Sequence, residues 1–236
     1  TTIIGPNGCG KSTLLKSIVR VLKPRNGSVI LDGKELKSMP AKTIAKRIAF
    51  LPQTHDQVSG LSVYELVSYG RYPYQKKLSG PTMEDRRIVE WALNATGILE
   101  MKDTVIDALS GGQKQRAFIA MALAQDTDII FLDEPTTYLD ISHQLEILHL
   151  LQTLNKDHHK TIVMVLHDIN QAAFYADHII ALKDGLIKYS GSTEDVITER
   201  VIRDVFQVDV DIMHDKSTLR PIIYNYRKTR EERTLL

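Results

Sequence analysis

The sequence has 236 residues, with 30 Lys+Arg against 29 Asp+Glu and a formal net charge of +1. That length suits one large domain or two small ones, and 43% hydrophobic with 25% charged residues excludes a disordered chain. Near-neutral charge argues against a dedicated nucleic-acid binder, the single cysteine (Cys9) excludes an internal disulfide and fits a reducing compartment, no charged-then-apolar leader opens the chain, and no apolar run approaches the ~20 residues of a membrane span.

Thr1–Ile4 reads as a short strand, uninterrupted in its apolar run as buried parallel strands are. It leads into Gly5-Pro6-Asn7-Gly8-Cys9-Gly10-Lys11-Ser12, which fits G-x-x-x-x-G-K-[ST] between a strand and a helix. The glycines let backbone N–H groups turn around a phosphate, and the helix that follows adds its positive end. Lys11 is placed to reach β- and γ-phosphates and the Ser12 hydroxyl to ligate Mg²⁺, while Cys9 reads as a passive small residue of the loop. A helix is expected over Ser12–Leu22, then a turn at Asn26-Gly27 and an antiparallel strand over Ser28–Leu31.

Residues 54–108 change character and read as a helical insertion. Ser62 with Glu65, and Thr82 with Asp85, are capping-box pairs, and the second opens a run through Ile88, Val89, Ala92 and Leu93 that stops at Gly97. Ser110-Gly111-Gly112-Gln113 then opens a helix expected to run to Gln125. Ser110 is a suitable N-cap, and the bare glycines make a second anion site. A second phosphate site beside a loop that already holds one nucleotide points to a head-to-tail pair of subunits, each turn meeting the other copy's nucleotide.

Ile129–Leu132 is the next buried strand, and two acids, Asp133 and Glu134, follow it directly. Ligand chemistry gathers at the carboxyl ends of parallel strands, so these acids and Lys11 are expected to converge, with Asp133 serving Mg²⁺ and Glu134 polarising a water. A helix over Ile141–Leu154 carries a stripe of Leu145, Leu148, Leu151 and Leu154. The strand Ile162–Leu166 delivers His167 to the same edge. The remaining histidines, including His143 and His149 on a helix and His158-His159 in a polar turn, read as solvated, and none has metal-ligand spacing. Beyond residue 188, Ser192–Asp195 opens a short helix, Val208, Val210 and Ile212 alternate as a strand, and Lys228–Arg233 reads as a solvated charged tail. Strands alternating with helices give an α/β fold with a mainly parallel sheet.

Taken together, Gly5 to Thr13, Leu51-Pro52-Gln53, Leu109-Ser110-Gly111-Gly112-Gln113-Lys114-Gln115-Arg116, Asp133-Glu134-Pro135 and Leu166-His167-Asp168 resemble the ATPase subunits of ABC transporters over nearly the whole chain. The resemblance implies a P-loop NTPase fold of the ABC ATPase type spanning 1–236, with 54–108 as its helical subdomain, 188–236 as a C-terminal segment and a short antiparallel β part. It also implies a strand-rich segment with an adenine-stacking aromatic ahead of Gly5, of which this sequence holds only Thr1–Ile4. By the same resemblance Gly5–Thr13 bind ATP, Gln53 touches Mg²⁺ together with Ser12 and Asp133, and Ser110–Gln113 act on a partner's ATP. Glu134 is then the catalytic carboxylate, His167 the switch histidine and Asp140 the acid of the D-loop, in which Tyr138 departs from the usual small or amide residue. Ser68–Pro73, Thr136–Gln144 and Val165–Gln171 look like bacterial importers of iron(III)-siderophores, nearest the ferrichrome/hydroxamate type, with haem and cobalamin importers sharing much of the pattern. The partners implied are a second copy in an ATP sandwich, a permease in the membrane and, through it, an extracytoplasmic binding protein. No nucleic acid is among them. The expected place is the cytoplasmic face of the membrane. Non-transport ABC ATPases usually carry coiled-coil insertions or a second ATPase unit, and neither is visible here.

Overall fold

The computed structural model describes residues 1–53, 58–76, 80–137 and 139–229. In chain order the elements are β1 (Thr2–Ile4), α1 (Lys11–Ile18), β2 (Ile30–Leu31), β3 (Lys34–Glu35), α2 (Ala41–Ala45) and β4 (Ile48–Leu51). There follow α3 (Val63–Ser68), α4 (Met83–Ala95), α5 (Gly111–Ala124), β5 (Ile129–Asp133), α6 (Ile141–Lys156) and β6 (Thr161–Val165). The chain closes with α7 (Ile169–Tyr175), β7 (His178–Lys183), β8 (Leu186–Ser192), α8 (Thr193–Val196), α9 (Glu199–Phe206), β9 (Val208–His214) and β10 (Pro221–Lys228). The architecture is α/β with mainly parallel pairing in its central strands. Two compact units divide it, Thr1–Leu14 with Met164–Leu236, and Leu15–Val163.

In the first unit β1 pairs in parallel with β6 on one side (Ile3 opposite Val165) and with β7 on the other (Ile3 opposite Ile180). Both faces of β1 are covered, so Ile3 and Ile4 are buried along with Val165, Leu166 and Ile179. This is why the run carries no polar alternation. Strand β8 returns antiparallel to β7. The β9–β10 hairpin packs against α9 and α7. It grips α7 at two places. The Asn170 amide donates to the Ile223 carbonyl (2.9 Å) and accepts from the Ile223 N–H (2.8 Å). The Arg220 guanidinium donates to the carbonyls of Ala173 (2.9 Å) and Ala176 (2.6 Å), covering the orphan acceptors at the helix end. The strand expected at Val208–Ile212 is present and longer. Of the expected charged tail, residues 230–233 lie outside the described residues.

In the second unit β4 and β5 pair in parallel, Leu51 opposite Leu132. Helices α3, α4 and α5 pack on one another through Val63, Leu66, Ala92, Leu93, Ile119 and Ala120, all buried. Both expected capping boxes form, Ser62 with Glu65 and Thr82 with Asp85, so each helix starts where its cap dictates. Beneath α4 the Arg71 Nε donates to Asp85 (2.9 Å) and Arg71 Nη1 to the Ala124 carbonyl (2.9 Å), an ion pair whose partners are only 5% and 8% exposed. Burial alone would raise the Asp85 carboxyl. Hydrogen bonds from Thr82 and the Arg71 guanidinium outweigh it and hold the group below its ordinary value.

Three expectations need correction. The first helix stops at Ile18 rather than Leu22, because Arg20 turns left-handed (φ 63°) and its guanidinium donates to the carbonyls of Leu36 and Met39. The antiparallel hairpin turns at Asp32-Gly33, not Asn26-Gly27. Both Asp32 and Gly33 have positive φ (50° and 75°), as a two-residue primed turn requires. On α6, Leu148, Leu151 and Leu154 are buried as expected, but Leu145 is 40% exposed and Ile147 takes its place in the core.

Candidate functional site: a phosphate loop and a strained carboxylate

The first unit carries the loop. Its opening residue, Gly5, has φ 153°, and a Cβ there would come within 2.4 Å of the Leu182 carbonyl oxygen and 2.7 Å of Cys9 Sγ. Only glycine fits. Gly8 (φ 76°) and Gly10 (φ 102°) continue the left-handed path, and α1 begins at Lys11, so its unsatisfied N–H groups open into the loop. Lys11 is 5% exposed. Its Nζ folds back over the loop and donates to the carbonyls of Gly5 (2.8 Å) and Pro6 (3.0 Å). A buried ammonium held by carbonyls, beside a backbone cradle, suits a polyphosphate anion. Cys9 is buried in the loop and its carbonyl accepts from the Gly185 N–H, so its part is structural.

His167 lies in the bend after β6. With Ile3 opposite Val165, Gly5 and His167 each follow by two residues and leave the same carboxyl edge of adjacent parallel strands. That placement is the one read from the sequence. Asp168 N-caps α7 by accepting from the Gln171 N–H (2.9 Å), and the hairpin grip on α7 fixes the helix behind it.

The second unit carries the acids. β4 and β5 end side by side, which brings Gln53 to Glu134: the Gln53 amide and the Thr137 hydroxyl (3.0 Å) both donate to Glu134 Oε2. Asp133, the last residue of β5, is 2% exposed, and Glu134 is 8% exposed. Glu134 adopts φ 56°, a left-handed conformation that costs a non-glycine residue about 1–2 kcal/mol. Such strain persists where surrounding bonds over-determine it, here those from Gln53 and Thr137. Thr137 was not singled out by sequence. Its only signal is its spacing three residues past Glu134, on a turn.

Ser110 caps α5 as expected, and more completely than expected. Ser110 Oγ accepts from the Gln113 N–H (3.3 Å) while Gln113 Oε1 accepts from the Ser110 N–H (3.0 Å). Gln115 donates to the Pro135 carbonyl (2.9 Å), tying that helix to the turn after Glu134. Asp140 N-caps α6. Its Oδ1 accepts from the His143 N–H (2.9 Å) and faces His143 Nδ1 (2.8 Å), and these bonds, the backbone one foremost, hold its carboxyl below the ordinary range. His143 is therefore no merely solvated helix residue: as third residue after the cap it folds its ring back over Asp140. Tyr138 lies outside the described residues.

A glycine loop of this form, with a buried lysine at the first turn of its helix and an acid pair ending a parallel strand, defines a nucleotide-phosphate-binding α/β protein of the P-loop class. Residues 1–137 match the family model described as ABC transporter. The whole chain is 50% identical to the iron(3+)-hydroxamate import ATP-binding protein FhuC of Bacillus subtilis (strain 168), covering 88% of it. It is 50% identical over 233 residues to the petrobactin import ATP-binding protein FpuD of Bacillus anthracis, with 99% of this chain and 85% of that one covered. Among solved structures, the ATP-binding cassette MJ0796, dimeric in a post-hydrolysis state with ADP and Pi, superposes with a TM-score of 0.69 at 33% identity, covering 81% of this chain and 84% of that one. The chain belongs to the ABC transporter family, as an ATP-binding subunit that hydrolyses ATP.

Proposed function

We propose that the chain powers import of an iron(III)-siderophore of the hydroxamate type, working as a pair of copies beneath a membrane permease. The observation that carries the reading is the Gly5–Ser12 loop with Lys11 folded over it, in a chain half identical to importer subunits along its full length. Within the first unit, Gly5–Thr13 hold the triphosphate and His167, at the same sheet edge, meets its terminal phosphate. In the second, Glu134 positions and deprotonates the attacking water, and Ser110–Gln113 with Asp140 face the ATP held by the other copy. Ser12 in the first unit, and Gln53 and Asp133 in the second, are each hard oxygen donors of the kind Mg²⁺ selects, and such a cation would neutralise charge on the phosphates.

No helix among the described residues is long and apolar enough to cross a membrane. Attachment at the cytoplasmic face would then come through the permease. A groove of about 450 Å³ in the second unit offers a place, lined by Val21, Ile44, Ile48 and Phe50. Ile48 and Phe50 belong to β4, the strand that leads to Gln53, so a permease element seated there would pull on the residue bonded to Glu134. Tyr69 and Tyr72, 56% and 76% exposed in the same unit, offer further aromatic surface on the stretch after α3.

The test is co-purification from membranes followed by reconstitution of the captured complex in vesicles with its binding protein. A ferric hydroxamate should stimulate phosphate release and enter the vesicles. Stimulation by haem or cobalamin alone would move the cargo to those importers, and capture of no permease would overturn the transport reading.

A further inference from the structure

His143 does two things at once. Its backbone N–H and its Nδ1 both bond a single oxygen of Asp140, which is ionised and can only accept, so Nδ1 carries the proton. Its ring also presses on the start of α5. A Cβ at Gly112 would sit 2.8 Å from His143 Cδ2 and 3.1 Å from Cγ, closer than side chains pack. Gly112 is buried, and the imidazole occupies the space in which a side chain there would stand. One ring bridges the two segments assigned to the partner's nucleotide, Ser110–Gln113 and Asp140. The two helices are joined again one turn on, where Arg116 pairs with Glu146. The surface around this bridge is open: the His143 and Asp140 side chains are 42% and 67% exposed, and Ile141 and Leu145 beside them are 75% and 40% exposed. Exposed apolar residues flanking polar anchors are the composition of a contact surface.

We propose that His143 is a positioning residue for ATP hydrolysis across the pair of copies, locking the Asp140 turn to the glycine start of α5 so that both meet the partner's nucleotide in one geometry. The inference rests on the reading of Ser110–Gln113 and Asp140 given above. It locates the cost of losing His143 in turnover and in ATP-driven pairing. Binding of ATP to the chain's own loop, which lies in the other unit, is left alone.

Two substitutions split the two contacts. In His143→Asn the side-chain amide can stand where Nδ1 stands and donate to Asp140, whereas His143→Phe keeps a ring on Gly112 without a donor. Phosphate release by the purified full-length chain gives kcat and KM, and titration with a fluorescent ATP analogue gives affinity. His143→Ala should lower kcat about tenfold, as loss of one charge-assisted hydrogen bond from the transition-state geometry would, with ATP affinity unchanged. His143→Asn should recover about half of the loss or more, and His143→Phe should not. In a Glu134→Gln background, His143→Ala should also reduce the fraction that dimerises on adding ATP. A His143→Ala kcat within about twofold of the parent, a matching fall in ATP affinity, or full activity in His143→Phe overturns the proposal. Ser110→Arg separates the two layers. If it is inactive while His143→Ala is fully active, only the role of His143 falls; if Ser110→Arg turns over normally, the reading of Ser110–Gln113 falls first. Should His143→Ala not fold, the contrast between Asn and Phe decides.

Discussion

In α3 and α4 each stabilising group sits where local chain chemistry places it. Ser62 and Thr82 cap, Glu65 and Asp85 return the bond, and the buried Arg71 donates to Asp85 and to the Ala124 carbonyl. Between Glu134 and His143 the same unit does the reverse. A glutamate is held left-handed, its carboxylate is bonded by an amide from the bend after β4, and a histidine closes over a glycine that has no room for a Cβ. The first region can be rebuilt from propensity and capping rules. The second exists only because the surrounding fold insists on it, the usual mark of a segment kept for chemistry rather than for stability.

The sharpest way to separate the regions is Glu134→Gln. Glutamine can still accept from Gln53 and Thr137 through its carbonyl oxygen but cannot take a proton from water. Phosphate release should fall by about a thousandfold or more while ATP still binds and the thermal midpoint stays within a few degrees. Unimpaired turnover would remove Glu134 from the reaction. Next comes Asp85→Ala, which leaves Arg71 buried without its counter-charge and α4 without half its cap. About 3 kcal/mol or more of stability should go, read by urea unfolding. The acid limb gives an independent check. The Asp85 carboxyl is depressed in the folded state, so its stabilisation is complete above its ordinary value of 3.8 and drains away as pH falls through the lower folded value. Asp85→Asn should therefore show a shallower loss of stability on acidification than the parent. An identical acid limb would mean the ion pair contributes nothing.

The same contrast explains what could be read in advance. The phosphate loop is legible because its glycines, lysine and serine are each demanded by the anion, and the helix starts because a cap and its partner lie three residues apart. Strands β4 and β7 carry little sequence signal: Ile48–Leu51 is four residues between Arg47 and Pro52, and His178–Lys183 has a charged residue at its end. The hairpin turn expected at Asn26-Gly27 falls at Asp32-Gly33 instead, a dipeptide of equal local merit that only the strand pairing distinguishes. Gln53 was reached by resemblance alone, since its meaning depends on β4 lying beside β5. Thr137 and His143 are marked only by standing three residues past Glu134 and Asp140. Their bonds reach only three residues back, to Glu134 and Asp140, but they follow a turn whose conformation opposes the local preference of Glu134.

The smallest effects sharpen the comparison most, because they should carry opposite signs. Ser62→Ala removes a cap that the chain would choose for itself, and should cost about 1 kcal/mol without touching phosphate release. Glu134→Gly removes a side chain from a backbone conformation that glycine adopts freely, and should return about 1 kcal/mol of the strain while abolishing turnover. Loss of the bonds from Gln53 and Thr137 works against that gain, so Gln53→Ala supplies the reference: combined with Glu134→Gly it should be no less stable than Glu134→Gly alone. A protein made firmer by deleting its proposed catalytic carboxylate would show strain held at Glu134 for the sake of reaction. A Glu134→Gly variant that is less stable than the parent would show instead that the bonds at Oε2 outweigh the left-handed turn, and the two regions would then differ in geometry but not in kind.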